Sequence, residues 1–248
     1  MTKLDVNKEY NNGGSLYLVN GYLYKVYDEI TYFIEEKERN INFLMTHNIP
    51  NSPKIYQKLY KNNEFNGYVM EYIDNSYTFR EALKMNIDFF SKVGAIIDIY
   101  KSLRVLHSYN LCLGDIHLSN FLYKDGKGYL IDLDEIRFPE DNFKFRERYL
   151  VKDNIHSKLS KQATFITDNI KVCICSLSFL YNIDLEYIIC NYSLESVRNI
   201  LRFLMSPKEY KEISKVLDVN NLYYFDEVLT KLINNKDDTY LKGITFKR

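Results

Sequence analysis

The chain has 248 residues, 46% of them apolar and 27% charged, so it can bury a substantial core in one or two compact units and is not an intrinsically disordered chain. Its 33 Lys and Arg balance 33 Asp and Glu, and no net field is available to recruit nucleic acid or an anionic membrane. Met1 to Lys8 lack the apolar stretch of a signal peptide, while Cys112, Cys173, Cys175 and Cys190 follow neither a zinc-ligand spacing nor a disulfide framework; free thiols in a cytoplasmic protein are expected, and export without a cleaved signal is compatible with the same residues.

In chain order, Ser15–Val19 and Tyr22–Tyr27 flank Asn20-Gly21, a strong two-residue hairpin signal, and Lys25 falls mid-strand among apolar residues. Glu29 to Met45 has a helical pattern with Ile30, Ile34, Ile41 and Met45 on one face, shared by Glu38. Tyr68–Ile73 reads as a buried strand that stops at Asp74-Asn75-Ser76. Phe89–Leu106 reads as a helix whose Phe90, Val93, Ile97, Tyr100, Leu103 and Leu106 suit a core. Asn120–Tyr123 and Tyr129–Leu133 form a second hairpin around Lys124-Asp125-Gly126-Lys127-Gly128. The segment from Glu135 to Thr167 is polar and basic, and Lys144, Arg146, Arg148 and Lys152 alternate with acids as on a solvated face. Thr167-Asp168 leads into Val172–Tyr181, an apolar helical run too short to span a bilayer, with either residue suited to an N-cap. Leu222–Ile233 closes the chain as a helix. The fold class expected is α+β, with a small β-rich unit over residues 1–73 and a larger, mainly helical unit over 74–248.

The second hairpin carries the chemistry. Pairing its strands brings Asn120 and Asp132 to one end, where a carboxylate and an amide oxygen suit a hard ion such as Mg²⁺ with a phosphate opposite. Asp115, on the loop entering the hairpin, can accept the proton of an attacking hydroxyl. A plain hairpin whose Asp and Asn cap its turns is the competing reading.

Asp115 followed five residues later by Asn120, and then Asp132-Leu133-Asp134, resemble the catalytic loop and the metal-binding Asp-Phe-Gly of the protein kinase superfamily. The resemblance implies a bilobal protein kinase-like fold with ATP in the cleft between a β-rich N-lobe and a helical C-lobe. It implies that Asp115 is the catalytic base and that Asn120 and Asp132 are the Mg²⁺ ligands. Lys25 would hold the α- and β-phosphates and Glu38 would pair with it, ahead of Glu35 and Glu36. Gly13 and Gly14 remain of the phosphate loop, Leu23 lies over the adenine, Met70 is the gatekeeper, and the backbone of Glu71 and Ile73 pairs with the base. Asp168 would brace the catalytic loop from below.

Departures from the family pattern shape the substrate question. Leu113-Gly114-Asp115 lacks the arginine that docks a phosphorylated activation loop, which implies activity independent of such phosphorylation. Asp134 replaces a glycine and would either join the metal or face solvent. Gly-Asp-Ile-His-Leu-Ser-Asn, with His117, is similar to the aminoglycoside and choline phosphotransferases, and no Ala-Pro-Glu follows. The implied activities are a protein Ser/Thr kinase first, then a small-molecule kinase of the aminoglycoside type, then a nucleotide-binding pseudokinase. The expected partners are ATP and a protein or small-molecule hydroxyl acceptor, with no nucleic acid and no membrane span.

Overall fold

A computed structural model describes residues 2–3, 14–28, 33–113, 115–138 and 163–234. Its N-terminal part is an antiparallel sheet of β1 (Thr2–Lys3), β2 (Gly14–Val19), β3 (Tyr22–Tyr27), β4 (Ile55–Lys61) and β5 (Glu64–Glu71), ordered β1-β2-β3-β5-β4. Asn20 and Gly21 both take positive φ, 51° and 81°, and so turn β2 into β3 without splaying the strands. Asn62 and Asn63 do the same between β4 and β5. Helix α1 (Ile34–Thr46) packs on β4 and β5, and Tyr27, Ile41, Phe65 and Tyr68 form the small core between them. The proposed helix start at Glu29 and Ile30, like Gly13 and the basic cluster, lies outside the described residues.

The C-terminal part is helical around a short second sheet, β6 (Tyr77–Thr78), β7 (Phe121–Lys124) and β8 (Lys127–Leu130). Its helices are α2 (Phe79–Ala82), α3 (Phe89–Ser108), α4 (Phe165–Tyr181), α5 (Leu185–Asn191), α6 (Leu194–Leu204), α7 (Pro207–Val216) and α8 (Phe225–Asn234). Helices α3 and α4 carry the main core, where Ile96, Leu103, Ile170, Cys173 and Leu177 are fully buried. Phe79 stacks on Phe179 at 4.0 Å between ring centroids and ties α2 to α4. Each such fully buried large side chain contributes roughly 1.5–3 kcal/mol. The chain is thus α+β, with a small antiparallel sheet first and a helical part after it.

Close backbone contact fixes the second hairpin. A Cβ on Gly128 would lie 2.0 Å from the Ala95 carbonyl oxygen, and one on Gly94 would lie 2.8 Å from that of Gly126. Only glycine lets β8 lie this close to α3. The turn itself is the two residues Asp125 and Gly126, at φ 47° and 79°, with Lys124 opposite Lys127.

Several local expectations need correction. Phe90 is 65% exposed, because the face of α3 that meets the core runs through Val93, Ile96, Tyr100 and Leu103. The N-cap of α4 is Thr164, in a reciprocal capping box with Thr167, which leaves Asp168 inside the helix. The second strand of the second hairpin ends at Leu130, not Leu133. Strand β4 and helices α5 to α7 were not anticipated. The four cysteines are free, and among the described residues no helix is long and apolar enough to cross a membrane.

Candidate active site

The inner face of β3 presents Lys25, whose neighbours in register are Leu16 on β2 and Tyr68 on β5. The side chain is 9% exposed. Its ammonium runs past the rings of Tyr27 and Tyr68 to Asp132, a residue 107 positions later in the chain. It also donates to both carboxylate oxygens of Asp134, at 3.1 and 3.0 Å. Two otherwise separate parts of the chain therefore meet in one buried ion cluster.

Asp132 reaches that cluster through its backbone. It takes φ 60° and ψ 43°, the left-handed region, and starts a single 3₁₀ turn over Leu133–Glu135. Such a conformation is uncommon outside Gly, Asn and Asp. The chain turns sharply after β8, so that Asp132 faces the cleft and Asp134 faces inward. Asp134 is fully buried; of the two sequence alternatives, a solvent-facing side chain is excluded.

Asn120 and Asp115 sit beside this turn. The Asn120 carbonyl accepts from the Ile131 amide at 2.9 Å, which links the ends of the two hairpin segments next to Asp132. Its side-chain nitrogen donates to the Asp115 carbonyl at 3.2 Å, which turns its amide oxygen away from that loop. The Asp115 carboxylate lies 3.4 Å from His117 Nε2. From behind, Asp168 Oδ2 accepts the Leu113 amide at 2.7 Å and His107 Nε2 at 3.2 Å, and His107 Nδ1 meets the Tyr224 hydroxyl at 2.7 Å. Glu186 on α5 accepts the Leu118 amide at 2.7 Å and pairs with Arg80 at 3.0 Å. The catalytic-loop candidate is thus braced by α4 and by α5.

Charges in the cluster bias one another. Burial opposes the charge of Lys25, yet Asp132 and Asp134 outweigh it and raise its pKa. Burial likewise opposes the Asp134 carboxylate, but Lys25 and Lys37 hold it well below the usual carboxylate range. Burial lifts the Asp132 carboxyl, Lys25 pulls it down, the charge of Asp134 pushes it back up, and the outcome is about 6. Burial disfavours a charged His117, but Asp115 with help from Glu186 and Asp132 raises its pKa.

Glu38 is not the partner of Lys25. Its carboxylate accepts from Lys58 at 2.7 Å and from the Tyr60 hydroxyl at 2.8 Å, on the β4 side of the helix. The face of α1 that meets the Leu133–Glu135 turn carries Lys37 and Asn40, and adjacent helical positions lie about 100° apart. Lys37 reaches Asp134 at 3.0 Å and Glu135 at 2.6 Å. Asn40 donates to the carbonyls of Asp134 and Ile136, both at 2.9 Å. Glu36 pairs with Arg137 at 2.8 Å. Lys37, Asn40, Tyr27, Glu135 and Arg137 were not anticipated, and the one sequence signal pointing toward them was an aspartate at position 134 where the kinase pattern has glycine.

The remaining candidates within the described residues lie on β2, β3, β5 and the link that follows β5. Leu23 on β3 lies opposite Met70 on β5. A small cavity of about 30 Å³ has Met70, Tyr68 and Ile55 on one wall and Ile131, Asp132 and Leu133 on the other. Glu71 ends β5, its amide donating to the Lys54 carbonyl at 2.8 Å. Ile73 follows in the link to the helical part, where its carbonyl accepts the Ser76 hydroxyl. Gly14 is the first residue of β2, opposite Tyr27. Among the described residues no three His, Cys, Asp or Glu side chains are grouped to cage a metal. Asp132 and Asn120 instead offer two hard oxygen donors, a set that fits Mg²⁺ completed by phosphate and water.

No protein-family model matches the chain, and no curated protein matches it in sequence. The geometry alone bears on function.

Proposed function

We propose that the protein is an ATP-dependent phosphotransferase of the protein kinase-like fold that moves the γ-phosphoryl group to a hydroxyl, with a protein Ser or Thr as acceptor. The observation that carries this reading is the meeting of Lys25 and Asp132 across the cleft, with Asn120 and Asp115 beside them. A lysine, a carboxylate and an amide oxygen drawn from three elements onto one point are the parts that phosphoryl transfer needs, since its catalysis is mostly positioning and charge neutralisation. Lys25 binds and orients the phosphates; Asn120 and Asp132 would hold Mg²⁺. The ion, when bound, supplies charge neutralisation on the transferring group. Asp115 orients the acceptor hydroxyl and takes its proton.

A scaffold role is disfavoured by the same cluster. Keeping charged groups out of water costs free energy unless they are paired or used, and Asp132 holds a cleft-facing position with its side chain 22% exposed. A small-molecule acceptor is the second reading, favoured by His117 standing against Asp115 where protein Ser/Thr kinases mostly carry lysine.

Incubation of the purified protein with γ-labelled ATP and Mg²⁺ in cell extract discriminates these readings. Label in polypeptide at Ser or Thr supports the first, and label in metabolites supports the second. Absence of transfer, with Asp132→Ala indistinguishable from the parent protein, refutes the phosphotransferase assignment.

A further inference from the structure

Asp134 occupies a position where the kinase pattern has no side chain, and it is the most heavily engaged carboxylate of the site. Lys25 approaches both of its oxygens, Lys37 donates to it at 3.0 Å, and the Tyr27 hydroxyl donates to it at 2.5 Å. Three of these contacts converge on Oδ2 and one reaches Oδ1. Asp134 is fully buried, so its charge is committed to the two lysines and does not face the cleft where a metal ion would enter. Asp132, by contrast, receives Lys25 alone among the lysines of the cluster and faces the cleft.

This arrangement sets up a competition. A divalent cation drawn to Asp132 repels the ammonium that rests on the same carboxylate. Lys25 is buried, and a buried ammonium that loses its counterion is strongly disfavoured. It needs a second anion that does not leave when the cation arrives. The helix that supplies such an anion in the kinase pattern supplies a cation here, because Lys37 rather than Glu38 faces the turn.

We propose that Asp134, gripped by Lys37 and Tyr27, is a positioning residue that anchors Lys25 while Asp132 is released to a divalent cation. The charge order is inverted relative to the kinase pattern: the turn carries the anion and the helix carries the cation that fixes it. Lys37 is shared with Glu135, which Arg137 backs at 3.3 Å, so the anchor is also the point where α1 is pinned to the turn. The inference rests on the phosphotransferase reading, since it presumes a cation and phosphates at Asp132 and Lys25.

The test is calorimetric titration of the full chain with a non-hydrolysable ATP analogue, once with Mg²⁺ and once with EDTA. Asp134→Asn keeps the shape of the side chain, and the double variant Lys37→Gln, Asp134→Asn also keeps the charge balance, so that a folded protein is available for measurement. The parent should bind the analogue at least tenfold more tightly with Mg²⁺. In both variants that advantage should fall by tenfold or more while binding in EDTA stays within about threefold. An unchanged Mg²⁺ advantage overturns the role of Asp134 and leaves the phosphotransferase reading standing. An equal loss under both conditions marks a merely structural residue and also overturns it. A parent chain that binds no nucleotide, or shows no Mg²⁺ advantage, takes down both inferences together.

Discussion

Asp115→Asn separates chemistry from binding at this site. The substitution removes the carboxylate that faces His117 but leaves the main chain, and the link from Asn120 to this residue runs to its main-chain carbonyl. The Asn120 side chain therefore keeps its support. Lys25 keeps its contacts to Asp132 and Asp134. A positioned general base typically contributes about 10²–10⁴ in rate, or about 2.7–5.4 kcal/mol at 1.36 kcal/mol per tenfold. Turnover should fall by that factor while affinity for the Mg²⁺-bound ATP analogue stays within about threefold. A second readout is independent of activity: the Asp115 charge helps hold the His117 pKa up against burial, so its removal should lower that pKa. An imidazole titration followed by NMR measures this. Turnover within threefold of the parent, or a tenfold loss of nucleotide affinity, would refute the assignment of Asp115 as base.

Asp168→Ala strands two buried donors, the Leu113 amide and the His107 ring, and at about 1–3 kcal/mol for each unsatisfied group should cost about 2–6 kcal/mol in a denaturant titration. Asp168→Asn keeps an acceptor for Leu113 and relieves the burial that raises the carboxyl's pKa, so it should cost less; equal losses in the two variants would contradict the brace. Gly128→Ala forces a Cβ into the Ala95 carbonyl and should lower stability by about 1–3 kcal/mol, seen as a lower melting temperature. Burial lowers the pKa of Lys92 to about 8 from its ordinary 10.5. Below about pH 8 the ammonium is charged in both states and its full burial cost applies. Between pH 8 and 10.5 the unfolded chain binds the extra proton, so stability should rise with pH by up to about 3 kcal/mol. Subtracting the profile of Lys92→Met from the parent profile isolates this slope, and a flat difference would contradict it.

Elements with strong local signals were legible in the amino-acid sequence. Asn20-Gly21 and Asp125-Gly126 both form the two-residue turns their φ preferences require, and the apolar period of α3 delivers Val93, Tyr100, Leu103 and Leu106 to the core. The span of β4, Ile55–Lys61, was missed because its Tyr, Gln and Lys residues lie at a half-exposed sheet edge and do not form a buried run. Asp132 was read as a strand residue, but a single left-handed residue ends the strand two positions earlier. No periodicity announces such a break. Helices α5 to α7 depend on caps at Asp184, Ser193 and Ser206, which were legible in principle from Ser-Pro-Lys-Glu and Ser-Leu-Glu-Ser.

The partner of Lys25 was misassigned for a more general reason. A pattern search seeks an acidic residue on the helix because known sites keep one there, but electrostatics demands only that some anion lie within a few ångströms of the buried ammonium. Which element supplies it depends on which face of α1 meets the turn, and rotation by one residue exchanges Glu38 for Lys37. Once a lysine faces inward, it must be neutralised in turn. Glycine at position 134 would leave Lys25 with Asp132 alone and Lys37 with Glu135 alone, whereas aspartate adds a shared counterion to both at once. The two departures from the kinase pattern, a cation on the helix and an acid after Leu133, are therefore one compensated change. Changing either alone should be worse than changing both: Asp134→Gly or Lys37→Glu alone should lower the melting temperature more than the pair Lys37→Glu, Asp134→Gly, in which the new glutamate can take over Lys25. A double variant no more stable than the worse single one would show that the two positions are independent.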